Sequence, residues 1–344
     1  MSIQPKTVLY VGGTGTISAS CVAASSAAGY DVSVLNRGRS SAVRPLPPDV
    51  EHIACDAGDP DAVRDALAGR RFDTVVNVTV FTAEQARSAV ETYRGVTDHY
   101  VHISTAAMYR KPVTSWPIVE STPRHNPFCA YARDKIAAED VFTEANRTSG
   151  FPVTVVRPSH TYDDARPPLP GDWTAVDRIE RGEPIVVPGD GTSLWTITHA
   201  EDFAVGLVGL LAEPAAIGET FHITSDFVYT WDQIYRTIAA GLGAAVEIVH
   251  VPSDLIALAE PKWMWSELLT GDLSHSAVFD NSKIKRFVPQ FRAKTTLAAG
   301  VARFLNWRAE HRELALGDPD VDAIYDRLVG AHARAREIFA TLAR

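Results

Sequence analysis

Tyr131 and Lys135 stand four residues apart, a spacing that sets two side chains on one face of a helix. An ammonium beside a phenol favours the phenolate and lowers its pKa. Upstream, Ser104-Thr105 closes an apolar run, where a hydroxyl can hold a substrate oxygen. A phenol, an ammonium and a hydroxyl so placed perform general acid–base catalysis beside a carrier of the two-electron step, a nicotinamide. The Tyr-x-x-x-Lys spacing alone is weak evidence. Its weight comes from the strand end before it and from a glycine turn further upstream.

That turn lies in Lys6–Ser18, KTVLYVGGTGTIS. Val8–Val11 is the continuous apolar run of a strand covered on both faces. Gly12, Gly13 and Gly15 follow, and a helix of small residues is expected over 16–28. Gly12 permits a tight turn, and Gly15 lets the backbone come close to a pyrophosphate whose charge meets the helix start. Ser18 takes the place of the usual third glycine and is small enough to let helix and sheet approach.

The elements that must position these groups alternate. Strands are expected at 31–35, 50–54, 73–78, 99–104 and 153–156, with helices at 59–68, 82–93 and 131–148. This is the pattern of a doubly wound parallel sheet in an α/β protein, whose ligands sit at the carboxyl ends of the strands. Those ends are residues 12–15, 36–39, 56, 77–80, 104–105 and 157–160. After Pro158 the chain turns irregular and rich in proline and glycine. Short strands at 184–187 and 218–224 and helices at 204–211 and 231–241 are expected there. The division is a dinucleotide-binding unit over 1–158, completed by parts of 190–230, a smaller α/β substrate-binding unit over 159–319, and a helical tail over 320–344.

Composition narrows the classes. Hydrophobic residues make up 46% and charged residues 22% of 344, a globular balance. No run approaches the roughly 20 apolar residues of a membrane span, and no signal peptide is visible. Three cysteines (Cys21, Cys55, Cys129) show no metal or disulfide spacing. The expected setting is therefore the cytoplasm, with no metal. A net charge of −9 argues against a general nucleic-acid binder.

The second strand ends in Asn36-Arg37-Gly38-Arg39, where an acidic residue would select the ribose 2′-hydroxyl of NAD. Here an arginine either pairs with the 2′-phosphate of NADP or is a solvated loop charge, or Arg37 stacks on adenine.

With the glycine turn, Asp56, Thr105, Tyr131, Lys135, Arg157-Pro158 and Pro188-Gly189-Asp190-Gly191, the chain resembles the extended short-chain dehydrogenases/reductases of the NAD-dependent epimerase/dehydratase superfamily. The resemblance covers most of residues 6–300. It implies a Rossmann-type fold and an enzyme using NAD or NADP. Asp56 would contact adenine, Tyr131 would be the acid/base, Lys135 would bind the nicotinamide ribose, and Thr105 would take the Ser/Thr role. The remaining cofactor contacts would be Gly12, Thr14, Gly15, Thr16, Ile17, Asn36, Arg37, Ala57, Val78 and Pro158. The substrate would meet Thr79, Phe81, Thr105, Tyr109, Ser159, His160 and Trp195. A homodimer through the helices after strands four and five is also implied.

Three departures bear on the reaction. Ala106-Ala107 replaces the Asp-Glu pair of nucleotide-sugar 4,6-dehydratases, so that reaction is not expected. His160 either moves a proton or hydrogen-bonds in the cleft. Trp195 stands where relatives often hold a diphosphate-gripping arginine, and it offers stacking area and one N–H. Either a nucleoside or carbohydrate replaces a diphosphate sugar, or Trp195 is core and Arg178 or Arg286 serves the diphosphate. Residues 36–38, 195–202 and the basic 280–286 also resemble chloroplast stem-loop RNA-binding proteins. The plainer reading of 280–286, a helix start capped by Asn281 or Ser282, is preferred, and nucleic acid is not an expected partner. The leading expectation is a redox-neutral epimerisation or dehydration of a sugar hydroxyl. The alternatives are an NADPH-dependent ketoreductase and a non-enzymatic binder.

Overall fold

The computed structural model describes residues 6–39 and 42–342; the outermost residues of the expected first unit and of the tail lie outside it. The first half alternates as the pattern predicts. Its elements are β1 (Thr7–Val11), α1 (Thr16–Ala27), β2 (Asp31–Asn36), β3 (Glu51–Ala54), α2 (Pro60–Ala66), β4 (Thr74–Asn77), α3 (Ala83–Tyr93), β5 (Tyr100–Ile103), α4 (Ala130–Ser149) and β6 (Val153–Pro158). The second half adds β7 (His160–Tyr162), α5 (Trp173–Arg181), β8 (Ile185–Pro188), β9 (Leu194–Trp195), β10 (Ile197–His199), α6 (Ala200–Leu210), β11 (Thr220–Ile223), β12 (Tyr229–Thr230), α7 (Trp231–Leu242) and β13 (Ile248–Val251). Seven strands pair in the order β11-β6-β5-β4-β1-β2-β3, all parallel. The order reverses at β1, so the glycine turn opens at the switch point of a Rossmann-type sheet.

Apolar strand residues face both ways. Val8, Tyr10, Val34 and Val76 pack under α1 and α6, while Leu9, Val11, Leu35 and Val75 pack under α2–α4. A further core joins Trp173, Ile185, Trp195, Trp231, Phe304 and Tyr325. Here the strands are two to four residues long and pair locally: β7 with β10, β8 with β13, and β9 with β12. Such short pieces carry no readable period, which is why β13 escapes a pattern reading. The pattern reading also leaves out α5 and the helix Leu297–Glu310.

The tail helix Pro319–Leu342 buries Ile324, Tyr325 and Leu328. Arg178, buried in α5, holds it through Asp322 (2.8 Å) and Asp326 (2.9 Å). Arg178 is therefore a structural tie and lines no ligand cavity found among the described residues. In the basic stretch, Asn281 does not cap its helix with its side chain. It bonds Thr224 O (2.9 Å) and Asp226 (2.9 Å), while Lys283 and Lys285 pair with Glu219 and Asp226.

Gly12 adopts φ +88°, and a Cβ on Gly13 would lie 2.6 Å from a Val34 methyl. Gly13→Ala is expected to overpack β2 and cost about 1–3 kcal/mol. Urea denaturation checks this.

Candidate active site

The turn between β1 and α1 is braced from within. The Ser18 hydroxyl donates to Gly12 O (2.7 Å), and the Gly15 N–H donates to Ser18 Oγ (2.9 Å). Ser18 is thus a clasp as well as a small residue. A Cβ on Gly15 would meet nothing nearer than Ser18 Oγ at 3.4 Å, and Gly15 opens on a cavity of about 290 Å³. That cavity runs from the start of α1, past Thr16, Ile17 and Val78, to Ser104, Tyr131 and Lys135. A second cavity of about 240 Å³ is lined by Ala106, Ala107, His160, Trp195, Trp265 and Asp272. The two share Thr105, Tyr131, Pro158, Ser159, Thr161 and Arg166. Tyr131 therefore stands where two ligand spaces meet.

α4 brings Tyr131 and Lys135 there together. The Lys135 ammonium is buried, donates to Val80 O (2.6 Å) and Ile103 O (2.9 Å), and lies 4.5 Å over the Phe81 ring. Burial pushes its pKa down to about 8, against the pull of Glu139. The expected lowering of the phenol is not what the geometry produces. Burial drives Tyr131 up to about 12, the hydrogen bond from Thr105 opposing it. The ammonium is taken up by the Val80 and Ile103 carbonyls, and the phenol is largely screened from solvent by the surrounding chain. Thr105 Oγ1 also accepts the Ala107 N–H (3.2 Å).

Beneath the pair, Glu139 on α4 holds Arg157 of β6 by two bonds of 2.9 and 2.6 Å, both side chains buried. Tyr109 belongs to this layer and not to the substrate cavity. It is fully buried, with its hydroxyl on Arg157 Nη1 (3.1 Å) and near His222 Nδ1 (3.4 Å). Phe81 lines the first cavity instead of the second. Thr79 and Ala57 line a separate hollow between α2 and α3, where Thr79 donates to Asn77 Oδ1.

The loop after β2 spends its polar groups on itself. Asn36 accepts from the Gly38 N–H (2.7 Å) and reaches buried Thr14 (3.4 Å). Arg37 lies 3.5 Å from Asp56, both half exposed, so the arginine meets a carboxylate that opposes a 2′-phosphate.

His160 does not become a group that titrates near neutrality. Burial and the nearby Arg166 charge push it down to about 3. Trp195 donates its indole N–H to His160 Nδ1 (3.1 Å), stacks on Trp231, and is both core and cavity wall. The Ser159 hydroxyl is bonded to Thr198 (2.8 Å). Neither Arg178 nor Arg286 reaches the cavity; the cation there is Arg166, held by Asp172 at 2.9 and 3.1 Å. Sequence reasoning placed Arg166 only in a loop, and it did not find Asp272, whose carboxylate is paired with buried Lys111 (2.8 Å). Neither has a local sequence signal.

The residues present fit a dinucleotide. The turn is sterically closed at Gly12 and Gly13, open at Gly15, and faces the start of α1. Ser104 Oγ, buried and without a partner among the described residues, belongs to a side chain lining the same space.

Comparison with known proteins agrees. The NAD dependent epimerase/dehydratase family matches residues 8–97 and 84–224. The chain belongs to this family. It is an NAD(P)-dependent enzyme of the extended short-chain dehydrogenase/reductase type. A 2′-dehydrokanamycin reductase of Streptomyces kanamyceticus is 28% identical over 292 residues, covering 83% of this chain and 80% of that protein. A chloroplast stem-loop binding protein of Arabidopsis thaliana is 25% identical, covering 71% and 66%. An epimerase from Methanothermobacter thermautotrophicus shares the fold with a TM-score of 0.76 at 18% identity, over 91% of this chain and 94% of that one. Among the described residues no helix is long and apolar enough to cross a membrane.

Gly15→Ala has room within the protein and is expected to change stability by no more than about 0.5 kcal/mol. It should weaken NAD binding, as fluorescence titration would show. Lys135 has a second signature. Between about pH 8 and its ordinary 10.5, the unfolded chain keeps a proton that the folded chain has released. The stability that Lys135 itself contributes should therefore rise with pH across that window, against the opposite trend of the buried Cys21 and Cys129 thiols, which burial keeps protonated. Denaturant titrations should show wild type gaining stability relative to Lys135→Met across it.

Proposed function

We propose that the chain reduces a ketone on a sugar or related polyol ring, with net use of reduced nicotinamide coenzyme. The observation that carries this reading is the proton inventory of the second cavity. Tyr131 stands at its mouth as a protonated phenol, its pKa raised to about 12 by burial. A neutral phenol is poised to give a proton to an oxygen that gains negative charge, which is the reduction direction. Among the described residues lining the cavity, none is free to serve as a second acid/base. Ala106 and Ala107 are apolar, His160 stays neutral, and Asp272 is engaged by Lys111. Water elimination needs such a second group, so dehydration, part of the leading sequence reading, falls behind the reductase alternative.

The bound coenzyme would supply the two-electron transfer to the carbonyl carbon. Gly12, Gly15 and the start of α1 would hold its pyrophosphate, and Lys135 and Ser104 would face its ribose. Thr105 would hold the carbonyl oxygen by its hydroxyl. Tyr131 would donate its proton to that oxygen, and the phenolate left behind would take a proton from solvent as the alcohol leaves. Trp195 and Trp265 would exclude water and flank the ring. The similarity to a 2′-dehydrokanamycin reductase, over most of both chains, supports a ketone on a glycosidic ring as substrate. Asp56 beside Arg37 supports NAD over NADP.

The test is turnover of keto sugars and 2′-keto aminoglycosides with NADH or NADPH. One coenzyme oxidised per alcohol formed is the expected result. An epimer formed with the coenzyme regenerated would overturn the reading in favour of a redox-neutral cycle. Tyr131→Phe should lower kcat by about a hundredfold or more with coenzyme affinity retained.

A further inference from the structure

His160 projects from the start of β7 among three tryptophans, its ring centre 6.3 Å from Trp195, 6.4 Å from Trp231 and 6.0 Å from Trp265. An indole N–H donates and never accepts, so the nitrogen it meets must carry a lone pair. That nitrogen is Nδ1, 3.1 Å from Trp195 Nε1. A neutral imidazole with Nδ1 unprotonated carries its proton on Nε2. Nε2 makes no hydrogen bond among the described residues and is not one of the sealed polar atoms, and His160 lines the second cavity. We infer that Trp195 is a positioning residue that locks His160 in the Nε2–H tautomer. His160 thereby becomes a fixed hydrogen-bond donor to a substrate oxygen rather than a proton shuttle.

The lock is stiff because the tryptophan cannot turn away. Trp195 is buried, its backbone pairs with Tyr229 of β12, and its ring stacks on Trp231 at 5.5 Å and 25°. Trp231 is itself held by a bond from its Nε1 to Leu273 O (3.0 Å). Protonating His160 would set N–H against N–H. The charged and titratable groups around it do not favour that step. Arg166 opposes a second positive charge. The Asp272 carboxylate, which would favour one, is matched by the Lys111 ammonium. Tyr131 on the facing wall is neutral.

The consequence is selectivity. A hydroxyl, ring or carbonyl oxygen has a lone pair for the Nε2–H. A protonated amine has none, so the ring position that meets His160 must bear oxygen. That last step rests on the reaction proposed above; the tautomer does not.

The test needs no substrate for its first arm. Two-bond ¹H–¹⁵N spectra of histidine-labelled protein, assigned against His160→Gln, should show His160 as the neutral Nε2–H tautomer across about pH 5–8. An Nδ1–H tautomer, or a titration in that range, would overturn the lock. Trp195→Phe keeps an aromatic ring and removes the donor, and circular dichroism checks that it folds. It should let His160 populate the Nδ1–H form; an unchanged spectrum overturns the role of Trp195. The second arm uses the keto compound that wild type turns over fastest. His160→Leu should raise its KM roughly three- to tenfold, the worth of one hydrogen bond, with kcat nearly kept. His160→Gln, which retains an N–H, should restore it, and an unchanged KM in His160→Leu would overturn the donor role. If no keto compound is reduced, the reaction fails while the spectra still decide the lock.

Discussion

The site depends on a buried ion pair one layer beneath it. Glu139 lies one helical turn beyond Lys135 on α4, and Arg157 lies one residue before Pro158 on β6. Their two bonds hold the helix that carries Tyr131 and Lys135 against the strand that leads to Ser159 and His160. Both groups are almost fully withdrawn from water, so neither can lose the other cheaply. An unpaired buried charge costs about 3–5 kcal/mol. Arg124, the Tyr109 hydroxyl and the Glu120 carbonyl are further partners of the pair. The pair thereby ties helix to strand directly beneath the cavities.

Above that layer, burial decides the chemistry of each group. The same dry surroundings raise the phenol of Tyr131, lower the ammonium of Lys135 and keep His160 neutral. In each case burial shifts the balance toward the uncharged form, although Lys135, at about 8, stays an ammonium at neutral pH. Two further charged residues of the cavity walls, Arg166 and Asp272, are paired with Asp172 and Lys111. The result is a pocket with aromatic walls and hydrogen-bonding capacity, which the proposed reduction would use.

The glycine turn shows the same division between what protein and ligand require. Gly12 and Gly13 answer to Val78 and Val34, neighbours within the fold, whereas at Gly15 a Cβ would meet only Ser18 Oγ, at 3.4 Å. Ser18 holds the turn by bonding both Gly12 and Gly15, a function that the missing third glycine could not perform.

The sequence by itself determined the parallel sheet, its alternation with helices, the family and the Thr105–Tyr131–Lys135 assembly. Those rest on apolar runs, on glycines at a strand end and on helical spacing, all local properties. Folding alone decided the rest. Tyr109, Phe81 and Thr79 stand near strand ends in sequence, yet packing sends the first into the core and the others to different hollows. Arg166 and Trp265 reach the cavity from irregular chain and Asp272 from the single turn Leu269–Leu273, where no period announces them. The lysine's effect on the phenol was inferred from spacing, but spacing says nothing of which carbonyls an ammonium meets or how dry the phenol becomes. Contacts between residues distant in sequence, and the water they exclude, set those outcomes, and neither is written in the local pattern.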